Sequence, residues 1–146
     1  MYIEYLKARV GYDESLNHLR NLLDKREEMF MQTLPSGIRY DLEKISHSVT
    51  TNALDMFVMN VEDVEEKIRA VKIQLFDRRE LLDAIEKDLR KSHSLKDKIF
   101  VRRHLDGKKI IQIAMELNYS QERIYQLDKE IKTDITNYYR TNVLKL

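Results

Sequence analysis

Residues 109–131 read KIIQIAMELNYSQERIYQLDKEI, and this stretch decides the fold. Two helices that meet at a steep angle across a tight turn need particular residue types at particular places. The first helix needs a small residue where the second crosses it, and Ala114 stands there. It also needs an apolar inner face, which Ile110, Ile113 and Leu117 supply. The turn needs a residue that tolerates positive φ, and after Gly the best choice is Asn, as at Asn118. Tyr119 is expected to plug the turn, and Ser120 to cap the second helix. Ile124 and Leu127 then fall inward, four and seven positions after the cap. Every requirement is met in one ungapped register, which predicts a helix–turn–helix.

The second helix, Ser120–Ile131, buries a line through Ile124, Leu127 and Ile131. Glu122, Gln126, Lys129 and Thr133 then point outward, with Gln121, Arg123 and Tyr125 at the flanks. Gln can pair bidentately with adenine, Arg with guanine, and Glu can accept from cytosine, so this face suits a major groove. Asp128 and Glu130 are expected on a solvated side. Lys108 and Lys109 precede the first helix, where cations oppose the helix dipole until a phosphate binds. The expected DNA-binding set is Lys108, Lys109, Ser120, Gln121, Glu122, Arg123, Tyr125, Gln126 and Lys129. Arg102 and Arg103 are further backbone-contact candidates.

Upstream, RKSHSLKD at 90–97 reads as a hinge, with Ser94 able to cap a helix anchored by Leu95, Ile99, Val101 and Leu105. Gly107 is the stop signal for that helix. Before the hinge lies the strongest periodicity in the chain. Leu54, Phe57, Val61, Val64, Ile68, Val71, Leu75, Arg78, Leu82, Ile85 and Leu89 follow strict 3,4 spacing over five heptads. Such a seam is what a coiled coil needs. Phe57, Val64, Val71 and Ile85 occupy d-type positions, where a parallel dimer prefers Leu, so an antiparallel hairpin that also dimerises is expected. Arg78 is either a side chain reaching solvent past its stem or a polar register device.

The hairpin's other arm is a helix over residues 5–34. Its stripe is Tyr5, Tyr12, Leu16, Leu19, Leu23 and Phe30, interrupted by Arg9 and Arg26. LPSG at Leu34–Gly37 should end it. Residues 35–51 read as a loop rich in Ser, Thr and Asn, with Asn52 as the next N-cap and Asp55 in the first turn. The expected fold class is all-α: a helical hairpin or coiled-coil stem over residues 1–91, then a helix–turn–helix domain over 92–146.

Composition agrees. Charged residues make up 35%, with one Pro and three Gly, which suits a nearly all-helical chain. Residues 92–146 carry eleven Lys and Arg against seven Asp and Glu, an excess of +4. The total is +1, so residues 1–91 carry −3. A basic module on an acidic stem suits nucleic-acid binding beside protein interaction. Cysteine is absent, so disulfides and thiolate metal sites are excluded, as in a reducing cytoplasm. No apolar run approaches the roughly 18–20 residues needed to span a bilayer. The N-terminal MYIEYLKARV is too polar for a secretory signal. His18, His47, His93 and His104 lack metal-ligand spacing, and three scattered Gly make no phosphate loop. Neither a catalytic residue, nor a metal, nor a cofactor is expected, and His93 reads as a hinge residue.

The stretch IFVRRHLDGKKIIQIAMELNYSQERIYQLDKEI at 99–131 resembles the fourth conserved region of bacterial sigma factors. The whole chain is similar to small phage and prophage regulators of Gram-positive bacteria, of the RinA and ArpU type, in its helical first part, PSG connection and sigma-like C-terminus. That resemblance implies transcriptional control of phage genes in the cytoplasm of a bacterial host. The expected partners are double-stranded DNA, RNA polymerase and, from the 3,4 seam, a second copy of the chain through the N-terminal helices. The chain departs from the sigma pattern in having Asn118 where Gly is commoner, and it lacks the sigma regions that melt DNA. Two other readings stand beside this one. One is a coiled-coil adaptor or inhibitor that binds RNA polymerase or another host protein, and the other is a small terminase subunit.

Overall fold

The computed structural model describes the backbone of residues 1–33 and 47–144, and the side chains of residues 1–31 and 54–144. The fold is all-α. Its elements are α1 (Tyr2–Thr33), α2 (His47–Lys91), α3 (Leu95–Phe100), a π-helical turn (Val101–Leu105), α4 (Ile110–Leu117) and α5 (Gln121–Asn142). Packing divides the chain into two compact units: Met1–Tyr12 with Arg78–Leu146, and Asp13–Asp77. This division differs from one at residue 91, because Tyr2, Tyr5, Leu6, Leu82 and Leu89 share one core with α3, α4 and α5.

The unit Asp13–Asp77 is an antiparallel pair of helical segments. Leu22 of α1 packs with Val64, Ile68 and Val71 of α2, supported by Leu19, Leu23 and Met29. Burying each such side chain contributes about 1.5–3 kcal/mol. Arg26 donates to Glu65 at 2.9 Å, and Phe30 meets Phe57 edge to face with centroids 5.7 Å apart. Every position of the 3,4 seam of α2, from Leu54 to Leu89, is buried or half-buried. In this unit the seam faces α1 of the same chain.

Of the stripe expected for α1, Tyr5 is buried and Tyr12, Leu16, Leu19 and Leu23 are half-buried, so it overlaps the observed seam. Buried or half-buried side chains follow Tyr5, Ala8, Tyr12, Ser15, Leu19, Leu22, Arg26 and Met29, whereas Phe30 is exposed. The small Ala8 and Ser15 and the ion-paired Arg26 disguise this register in a reading that counts only large apolar residues. Arg9, expected to interrupt the stripe, is exposed.

Two helix boundaries differ from expectation. Helix α1 begins at Tyr2 rather than Tyr5. Helix α2 begins at His47, so 47–51 is helix rather than loop, and Asn52 is not its N-cap. Ser and Thr disfavour helix by only a few tenths of a kcal/mol each, which a 45-residue helix absorbs. The stop at Leu34–Gly37 and the loop residues before His47 lie outside the described residues.

In the other unit, Arg78 donates to the backbone carbonyl of Gly11, so its guanidinium is turned toward α1 and pins the pairing of the two helices there. Phe100 stacks on Tyr2 at 5.4 Å and meets the edge of Tyr5 at 5.9 Å. The buried Asp97 accepts from the Tyr2 N–H at 3.2 Å and from the Ser92 hydroxyl at 2.7 Å. Ser92, His93 and Ser94 separate α2 from α3, and His93 is exposed; this break, read as a hinge between stem and C-terminal domain, lies inside one compact unit. Ser94 stands at the N-cap of α3, but its side chain makes no capping bond.

Candidate nucleic-acid interface

The turn that ends the π-helical segment sets the direction of α4. Gly107 adopts φ +70°, and Lys108 N–H donates to Arg102 C=O while Asp106 N–H donates to Val101 C=O, both at 2.9 Å. These bonds reach back six and five residues, one longer than an α-helical ending would use, as suits a π-helical turn, and Gly107 in the left-handed region lets the chain turn away. Helix α4 then starts at Ile110, with the Gln112 side chain accepting from the Lys109 N–H at 3.1 Å.

Helix α4 buries Ile113 and Ala114 and half-buries Ile110 and Leu117. Asn118 follows at φ 58° and ψ 41°, the one non-Gly residue with positive φ among the described residues. Ser120 caps α5 by accepting from the Arg123 N–H at 3.2 Å. Ile124 and Ile131 are fully buried, and Leu127 nearly so. The two helices and their turn therefore take the expected register at every position but one. Tyr119 is 48% exposed and does not plug the turn, which is already closed by its own N–H bonding back to Ala114 C=O at 3.1 Å.

Asp128 corrects a second expectation. Its carboxylate is only 2% exposed and accepts from His104 Nε2 at 3.0 Å, with Lys132 Nζ at 3.2 Å and Arg103 Nε at 3.8 Å. Burying a carboxylate is costly unless cations and hydrogen bonds compensate it, and here three cationic or ionisable side chains converge on it. Asp128 thereby ties α5 to the π-helical turn. Glu130 is exposed as expected and pairs with Lys96 at 3.0 Å.

On the opposite side of α5, Glu122, Gln126, Lys129 and Thr133 are exposed, and so are Gln121, Arg123 and Tyr125 at its flanks. Gln126, Lys129 and Thr133 line an open depression of about 560 Å³ with Lys96, Glu130 and Asp134. Lys109 is exposed at the start of α4. Lys108 is not a free ammonium: it donates to Glu116 Oε1 at 2.7 Å, while Arg102 Nε donates to Glu116 Oε2 at 2.8 Å. These bonds, that from Lys108 first, hold the Glu116 carboxyl below the usual glutamate range. Arg103 donates to the Lys108 carbonyl at 3.0 Å and is half-buried. Two of the four expected phosphate-binding cations are thus engaged with one carboxylate that pattern reading passed over. Its signal in the sequence is slight: Glu116 is the single acid between Lys108 and Gln121.

Among the described residues no group of His, Asp and Glu could hold a metal ion, and no helix is long and apolar enough to cross a membrane. No family model, curated protein or solved structure significantly matches the chain.

Proposed function

We propose that this chain is a sequence-specific DNA-binding transcriptional regulator of phage or prophage genes, acting in the cytoplasm of a bacterial host, with α5 as its recognition helix. One observation carries this reading. The N-terminal half of α5 is fully buried along Ile124, Leu127 and Ile131, fixed at its start by Asn118 and Ser120, and exposes Gln121, Glu122, Arg123, Gln126 and Lys129 together. A rigid helix presenting long polar side chains is what base-edge readout requires. Lys109 supplies a phosphate contact. Two copies acting together would read two half-sites, since one such module spans only a few base pairs. RNA polymerase is the further partner proposed.

The test is a mobility shift on the regulatory DNA neighbouring the gene, against random duplex. Gln126→Ala should cost about 1–3 kcal/mol on the cognate site and little on random DNA. Lys109→Ala should weaken both alike and flatten the salt dependence by about 0.9 of a unit. Equal loss on both duplexes for Gln126→Ala would remove it as a base reader, and no binding to any duplex would overturn the function.

One observation favours the adaptor reading instead. Ile111 and Met115 sit one turn apart on α4 and are 54% and 75% exposed, an apolar pair suited to protein rather than DNA. Loss of polymerase binding on Met115→Lys, with DNA binding absent throughout, would support that reading.

A further inference from the structure

Arg102 and Lys108 reach Glu116 from different parts of the chain, the π-helical turn and the residue after Gly107. Their Nε and Nζ atoms each meet a separate oxygen of one carboxylate, at 2.8 and 2.7 Å. The Arg102 guanidinium is also held from behind, because its NH1 donates to the Lys98 carbonyl at 3.3 Å. The side chains of Arg102, Lys108 and Glu116 are 29%, 38% and 39% exposed, so all three reach solvent. Two fixed cationic donors converging on two oxygens of an accessible anion are the geometry that binds a phosphodiester.

We infer that Arg102 and Lys108 form a backbone-phosphate site that Glu116 occupies in the free protein, and that a DNA phosphate displaces the Glu116 carboxylate when the chain binds. This rests on the DNA-binding reading above and adds a regulation to it. The exchange replaces one anion by another, so each binding event exposes a carboxylate to water and to the field of the DNA. Its physical effect is to hold down non-specific affinity. Random duplex gains little from trading Glu116 for phosphate, whereas a cognate site has the contacts of α5 to drive the exchange. The lowered titration of Glu116 has the direction expected for a carboxylate in such a site.

Glu116→Gln keeps the side chain's shape and removes its charge. In the full chain it should tighten binding to random duplex by about three- to tenfold at moderate salt, and steepen the salt dependence by about one unit per phosphate newly neutralised. Glu116→Gln with Lys108→Gln should lose that gain. Unchanged or weaker binding by a folded Glu116→Gln protein would overturn the proposal, since it would make the three side chains a structural staple only. A second measurement needs no variant. Carbon-detected titration of the Glu116 carboxyl in the unmodified protein should show its pKa rising toward the ordinary value when cognate duplex is added. A carboxyl that stays depressed in the bound protein overturns the displacement. If the unmodified chain binds no duplex at all, the function itself fails, a different outcome from tight binding with Glu116 undisturbed.

Discussion

The two compact units achieve order by different means. Among the described residues of Asp13–Asp77, the buried side chains other than Ser15 are apolar: Leu22, Val64, Ile68 and Val71. The Arg26–Glu65 pair lies at the edge with both side chains more than a third exposed. The other unit draws its core from α1, α2, α3, the π-helical turn, α4 and α5, and sets two carboxylates, Asp97 and Asp128, inside it. Area alone suffices for two long helices, because a 3,4 seam already dictates which faces meet. Short helices of six and eight residues offer too little seam to fix their angles, so directional bonds supply what the pattern cannot.

Apolar truncation should hit both units, with the larger effect in the multi-element core. Ile124→Ala should cost about 3–5 kcal/mol, and Val64→Ala about 2 kcal/mol, read from thermal or urea unfolding. Polar truncation should separate the units. Asp128→Ala should cost about 1–3 kcal/mol, a value kept below that of a fully buried pair because His104 and Lys132 can rehydrate. Arg26→Ala should cost no more than about 1 kcal/mol. If these two variants prove equally destabilising, the contrast is broken.

The turn sharpens the same point. Asn118→Ala should cost about 1 kcal/mol, while Asn118→Gly should be neutral or slightly stabilising, because positive φ penalises a Cβ without a compensating amide. An effect of similar size concerns Tyr2, whose phenol donates to Asp134. Burial first, and that bond second, push its pKa far above the ordinary tyrosine value. The fold therefore favours the protonated phenol. Its contribution is complete below about pH 10, the unfolded value, and falls as pH rises beyond it. Tyr2→Phe should lose about 0.5–1.5 kcal/mol at neutral pH and show a shallower decline in melting temperature above about pH 10. An identical alkaline decline in both proteins would remove Tyr2 as its source.

What could be read from the sequence follows the same division. The seam of α2 was legible because ten of its eleven positions are large and apolar. The two helices flanking Asn118 were legible because each position there demands a distinct residue type. The seam of α1 was legible in part, through Tyr5, Tyr12 and Leu19, but Ala8 and Ser15 carry no hydrophobic signal. Asp97 and Asp128 were hidden for another reason. Their partners Tyr2 and His104 lie 95 and 24 residues away, and periodicity holds no information about such pairings. The outward face of α5 was legible, but the state of Lys108 was not, because periodicity does not say which anion a lysine meets.

The bond from Tyr2 to Asp97 has a consequence for how the protein is made. A ribosome releases residues 2–6 long before residues 95–131, yet Tyr2, Tyr5 and Leu6 complete the core around Ile99, Ile113 and Ile131. These early residues must therefore wait, with their aromatic side chains uncovered, until residues 95–131 have emerged. Closure over such a sequence separation is slow compared with helix formation. Fusing a bulky partner to the amino end, or expressing residues 92–146 by themselves, should injure the very unit that carries α5. The smallest piece that keeps the whole core around α5 is not contiguous in sequence.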